Sequence, residues 1–343
     1  MGQLRAVVRR PLIILYRLYG EGRMRLLLLR SILLAALVWP ATAAAQEIIK
    51  ASYGSPSLTQ VIFPLGVQAG IFQRNGLSAE AVYIAGRSIS ALLGGDVQFG
   101  FVGGPQTIQA RIAGADLIVI GGLNRLGQMI VVHPSIKTPG DLVGKKVGIG
   151  VFGTTSDYGM RLGLKQFNLR PNKDVTFIQV GDVPARLGAI TSGAIHATVL
   201  NSSDKLYVDR FGLRILTETE NIDFLGSGIV TTESYARNHR DIVLRFLRSI
   251  IDTIRFIKND PKMTTDILAK HYRDKDEAAA KRRYEALNGM HPEYPYVVPG
   301  AVQSIVDVLR EDGKIKDAPP PQTFLDMNYL HAIEEERQGA DRR

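Results

Sequence analysis

The chain has 343 residues, 45% hydrophobic and 22% charged, a composition that excludes intrinsic disorder and suffices for roughly two domains. Its formal charge of +9 is concentrated at the start: the first 45 residues hold seven Arg and one Glu, and the 35 basic and 32 acidic residues that follow net only +3, so the charge gives no argument for a nucleic-acid partner. Cysteine is absent, which excludes disulfides, thiolate metal sites, a cysteine nucleophile and a lipid-attachment cysteine.

From Met24 the sequence reads MRLLLLRSILLAALVWPATAAAQ, with Arg25 and Arg30 ahead of an apolar run, then Pro40 and the small residues Ala43, Ala44 and Ala45. That is the n-, h- and c-region order of a secretory signal, with cleavage expected after Ala45. A membrane-spanning helix needs about 20 apolar residues, and this run is interrupted by Arg30 and stopped by Pro40. Residues 1–23 would make an overlong n-region, so translation is expected to start at Met24 and 1–45 are set aside as a signal segment.

Beyond the leader, β-rich runs alternate with helical segments, the pattern of an α/β chain with largely parallel sheets. Strands are expected at Ile48 to Tyr53, Ala79 to Ile84, Val97 to Val102, Leu117 to Gly121, Lys146 to Gly150, Val175 to Val180 and Ala197 to Leu200. Two stretches share one design: Ala91 to Gln106 and Ala189 to Asp204 each read as a helix stopped by glycine (Gly95, Gly193) and followed at once by a strand ending in small polar residues. Two similar lobes are the simplest source of such a repeat. The second is expected to open at the turn-and-cap signature Thr138 to Leu142. From His239 to Lys258, Ile242, Val243, Phe246, Leu247, Ile250, Ile254 and Ile257 recur at helical spacing, and a further helix is expected from Gly300 to Glu311.

In open parallel sheets the ligand crevice lies beyond the carboxyl ends of the strands. Here those ends run into Ser55 and Ser57, into Arg87 and Ser88, and into Gly104 and Gln106; the later strands run into Thr154 and Thr155, into Gly181 and Asp182, and into Asn201 and Ser202. Hydroxyls and backbone N–H groups suit an anion or a hydrogen-bonding ring, but helix caps use the same residue types, so both roles stay open. Arg87 is the one fixed positive charge in these loops. Phe63, Phe152 and Tyr158 are candidates for stacking on a ring and equally for the core. No catalytic constellation emerges: the six histidines lack ligand-like spacing, and Gly148, Gly150 and Gly153 match the dinucleotide-binding spacing only numerically.

The run Ile49 to Leu58, the segment VQAGIFQRNGLSAE, then AGRSISALLGGDVQFGFVGG, TPGDLVGKKVGIGVFGTTSDYGMRLGLKQFNL and GDVPARLGAITSGAIHATVL together resemble the nitrate, sulfonate and taurine-type substrate-binding proteins of ABC importers. The resemblance implies a type II periplasmic-binding-protein fold: two α/β lobes, 46–134 with 229–335 and 135–228, followed by a polar tail, 336–343. It places hinges near His133 to Thr138 and Leu225 to Thr232. It further implies a monomer in the periplasm without a cofactor, delivering a small molecule to a membrane permease. The contacts carried over are Ser55, Ser57, Arg87, Ser88, Gly104, Gln106, Thr154, Thr155, Asn201 and Ser202. His196 stands where members often have an acid, and the ligand stays open among sulfonates, nitrate-like anions, aromatic carboxylates and pyrimidines. Two other readings remain: a periplasmic sensor partner, and an enzyme like the pyrimidine-synthesising relatives, whose cysteine-rich segment this chain lacks.

Overall fold

The computed structural model describes residues 48–342 apart from 55–56, 85, 125–126, 220–221 and 275. The signal segment, its start at Met24, its cleavage after Ala45, and Ser55 lie outside the described residues.

Among the described residues ten strands form two five-stranded sheets. The first holds β1 (Ile48–Tyr53), β2 (Ser78–Tyr83), β3 (Phe99–Gly103) and β4 (Ile118–Asn124). The second holds β5 (Gln128–Val132), β6 (Lys146–Ile149), β7 (Thr176–Gln179), β8 (Ala197–Asn201) and β9 (Arg214–Glu218). The chain then returns to the first sheet as β10 (Ser227–Thr231). The orders are β2-β1-β3-β10-β4 and β7-β6-β8-β5-β9, so the same plan is used twice: three parallel strands, one antiparallel strand arriving from the other side of the crossing, and an edge.

Between these strands run α1 (Ile62–Gln68), α2 (Ile71–Arg74), α3 (Ser88–Gly94) and α4 (Gly104–Ile112) in the first half, and α5 (Thr155–Lys165), α6 (Val183–Thr191) and α7 (Lys205–Arg210) in the second. The two stretches of similar design occupy matching places, α3 into β3 and α6 into β8. Gly95 and Gly193 stop the helices at φ of 78° and 76°, a backbone conformation costly for any residue with a Cβ.

After β10 come α8 (Glu233–Asn238), α9 (Arg240–Asn259), α10 (Pro261–Tyr272), α11 (Glu277–Leu287), α12 (Pro299–Glu311) and α13 (Asn328–Asp341). The apolar stripe of α9 covers the first sheet: Phe246 stacks on Phe99 with centroids 3.8 Å apart and packs against Phe63 and Phe72. Phe63 and Tyr158 are therefore core, while Phe152 is exposed. The segment from 336, expected as a polar tail, continues α13, because Glu336 and Arg337 pair with Arg248 and Asp252 on the flank of α9.

The crossings correct the expected hinges. The chain leaves the first sheet after Asn124 and enters the second at Gln128, so β5 belongs to the second sheet and the step lies before His133. The return lies between Glu218 and Ser227, ending where Leu225 was expected to begin it. QMIVV is buried along its whole length and shows no alternation that would assign it to either sheet. Thr138 does form a capping box with Asp141, but around a turn inside the second half.

Two close contacts hold the return in place. The Gly104 amide donates to Gly226 O at 3.2 Å, and a Cβ on Gly104 would stand 2.0 Å from the Leu225 carbonyl oxygen. Backbone cannot yield as a side chain can, so Gly104→Ala is expected to destabilise by about 3 kcal/mol, the upper end of overpacking costs, with a fall in Tm of several degrees by calorimetry. An unchanged Tm would show that the return strand is not seated there.

The loop 288–298 is pinned to the end of β4: His291 Nδ1 donates to the Leu123 carbonyl, and Gly122 N donates to Pro295 O at 2.8 Å. Burial keeps the His291 imidazole neutral, pushing its pKa from 6.5 down to about 4. In that window the unfolded chain binds a proton that the folded chain refuses, so this stability is complete above pH 6.5 and is lost as the pH falls towards 4, by up to about 3 kcal/mol. Urea titrations of wild type and His291→Gln at pH 7 and pH 4.5 check this: the variant is expected to lose part of the pH slope, and equal slopes would contradict it.

Candidate functional site

A cavity of about 310 Å³ opens where the two sheets face each other. Its construction follows from register. In the first sheet Ser227, the first residue of β10, pairs with Gly103, the last of β3; in the second, Gln128, the first residue of β5, pairs with Asn201, the last of β8. Each crossing strand thus starts opposite the carboxyl end of a central parallel strand, and all four residues line the cavity.

The expected residues divide. Ser57, Ser88, Gln106, Thr155 and Asn201 are brought together around the cavity. Arg87 is exposed in the turn before α3 and does not line it. Gly104 spends its amide on Gly226, as above. Thr154 stands at the N-cap position of α5 without a side-chain bond to the helix backbone, its hydroxyl donating to Val151 O at 2.6 Å and lying 3.0 Å from Ser156 Oγ. Ser202 faces an adjoining chamber, and Asp182 caps α6 by accepting from Ala185 N.

Sequence reasoning missed Gln60, Gln128 and Ser227. The last two stand at the amino ends of antiparallel strands, where a rule built on carboxyl ends of parallel strands does not look. A Gln at the head of an apolar run and a Ser after glycine were the available signals. Gln128 is 4% exposed and Ser227 5%, and Gln106 Oε1, Gln128 Oε1 and Ser227 Oγ have no hydrogen-bond partner among the described residues. Buried polar atoms without partners are costly, and a ligand that bonds them recovers that cost. Gln128 fits only because Gly159 faces it: a Cβ there would lie 1.7 Å from Gln128 Oε1.

Among the described lining residues none is charged. Three helices, α3, α4 and α5, begin at the cavity beside Ser88, Gln106 and Thr155, and the N–H groups of their first turns, other than that of Gly104, favour negative charge without a full countercharge. Nearby, Asn201 Nδ2 donates to Asp204 at 3.4 Å. Burial raises the Asp204 carboxyl above its usual range, opposed by bonds from Asn201 and by the Arg186 charge, while burial lowers the Arg186 guanidinium.

The profile of the family described as NMT1/THI5 like matches residues 62–264, more than half of the chain. The chain belongs to this family. The taurine-binding periplasmic protein of Escherichia coli (strain K12) is 26% identical over 173 residues, 48% of this chain and 52% of that one, so the chain spans about half the length of the curated relative it matches. Among solved structures, the fold is that of the alkanesulfonate-binding protein SsuA from Xanthomonas axonopodis pv. citri bound to MOPS (TM-score 0.66, 17% identity, 81% of this chain and 98% of that one). The periplasmic nitrate-binding protein NrtA from Synechocystis PCC 6803 is similar to the same degree (TM-score 0.66, 14% identity, 84% and 88%). The two-sheet architecture of this NMT1/THI5-like chain is thus the periplasmic-binding-protein fold.

Binding titrations on variants test the roles assigned by the cavity. Gln128→Ala and Ser227→Ala are each expected to weaken ligand affinity about tenfold, the effect of one lost buried hydrogen bond. Arg87→Ala is expected to change it less than about threefold, as for an exposed charge. The reverse order would return Arg87 to the site.

Proposed function

We propose that the protein is the solute-binding component of an ABC importer, exported to the periplasm, where it works as a monomer and hands a small molecule to a membrane permease. The observation that carries this reading is the cavity between the sheets, whose polar walls come mostly from the first half, with Gln128, Thr155 and Asn201 from the second, and include buried atoms with no partner among the described residues. Such a site is completed by a ligand and by the approach of two lobes, the first built on β1 to β4 with β10 and the C-terminal helices, the second on β5 to β9. Function then needs tighter binding in the closed arrangement and no bond-breaking chemistry.

The uncharged walls and the three helix starts favour a small singly charged anion or a hydrogen-bonding heterocycle. The relatives' names place sulfonates, taurine and nitrate first on the panel. With the protein unfolded and refolded to strip any bound solute, melting is expected to rise by several degrees for one class of compound, since a ligand at 100 times its Kd stabilises by about 2.7 kcal/mol. A panel of sulfonates, nitrate, aromatic acids and pyrimidines that leaves the melting point unmoved would contradict the reading.

A further inference from the structure

Beside the polar cavity lies a second chamber of about 720 Å³. Thr59 and Asn201 line both, so the two spaces meet at this polar neck. The walls beyond the neck change character. Phe224 and Leu225 come from the return crossing, and Met290, Tyr294 and Tyr296 from the pinned loop 288–298. The rings of Tyr294 and Tyr296 are stacked at 25° with centroids 6.3 Å apart. The Tyr296 hydroxyl donates to Glu334 at 2.6 Å, which commits its polar end elsewhere. Asp223, the one charged residue among the described lining residues, stands by Gly300 at the start of α12, where a helix dipole suits a carboxylate.

Aromatic rings and a methionine make an adaptable apolar wall that water wets poorly. A solute as small as methanesulfonate would fill the polar cavity and leave that wall to water. A cavity of about 150 Å³ is enough to hold benzene, so the chamber has room for a bicyclic group.

We propose that the protein takes an amphiphilic solute, its compact polar head in the cavity among Gln106, Gln128 and Ser227 and its aromatic tail in the chamber walled by Met290, Tyr294 and Tyr296. This rests on the binding reading above and adds the class of solute. Because Gly127 from the first crossing and Phe224 and Leu225 from the second form part of the wall, the tail touches the segments that bend when the lobes approach.

Calorimetric titration with probe pairs that share a head and differ in tail tests it: methanesulfonate against naphthalene-2-sulfonate, acetate against 2-naphthoate, acetamide against 2-naphthamide. In at least one pair the naphthyl member is expected to bind tenfold or more tighter. Val298 is half-exposed on the chamber wall, so Val298→Trp fills space without disturbing the core. That variant is expected to abolish the naphthyl advantage while leaving the small member's affinity unchanged, and Tyr294→Ala is expected to reduce the advantage. Small members binding as tightly as naphthyl ones, or a naphthyl advantage that survives Val298→Trp, would overturn the inference and leave the binding reading standing. No binding by any probe would overturn both.

Discussion

One carbonyl oxygen joins the two halves of this protein. Gly226 O, at the end of the return crossing, accepts from the Gly104 amide at 3.2 Å and from Thr155 Oγ1 at 3.3 Å, and the same residue lines the cavity. Gly104 opens α4 under the first sheet and Thr155 opens α5 under the second. The start of β10, the floor of the cavity and two helix N-termini are therefore fixed by a single backbone group. The crossings are tied to each other as well: Gln128 N donates to Thr219 Oγ1 at 3.2 Å, and Thr219 N donates to Gln128 O at 2.9 Å. A ligand bonding Gln128 and Ser227 thus touches both crossings at their first residues.

A second set of contacts bridges the halves along α5. Tyr158 and Leu162 pack among Phe224, Ile305 and Val306, and Arg161 pairs with Asp157 on its own helix and with Asp312 beyond α12, both at 2.7 Å. Arg161 also lies over the Phe177 ring at 5.0 Å. Removing one partner of such a buried pair strands a charge, whereas the intact pair adds little net stability, so its main effect is to specify how α5 sits against α12. Burial with the Asp157 and Asp312 charges nearby raises the Tyr158 hydroxyl well above its usual range, so it stays protonated where Gln109 Nε2 approaches it.

The parallel strands, the amphipathic α9 and the repeat of helix, glycine stop and strand were legible because each is a local pattern: an apolar run, a 3.6-residue stripe, a left-handed glycine. The crossings were not, because an apolar run such as β5 carries no mark of the sheet it joins. The site was legible in part for the same reason. Ser57, Ser88, Gln106, Thr155 and Asn201 follow parallel strands and were found by that rule. Gln128 and Ser227 reach the cavity only through the register of antiparallel neighbours, which pairing across more than 70 residues decides. Arg87 drew notice as the loop's lone charge, yet the turn before α3 leaves it in solvent, and polarity alone did not reveal that 336–341 is helix held by ion pairs.

The proposed function requires that the two sheets close on a solute held between them. The absence of cysteine allows clean spin labelling at Glu80→Cys, on β2, and Lys173→Cys, before β7, both exposed. With the solute that most raises the melting temperature, electron-electron distance measurement is expected to show a broad distribution narrowing to one shorter population at saturation. A distribution that saturating solute leaves unchanged would contradict closure and, with it, the binding-protein account.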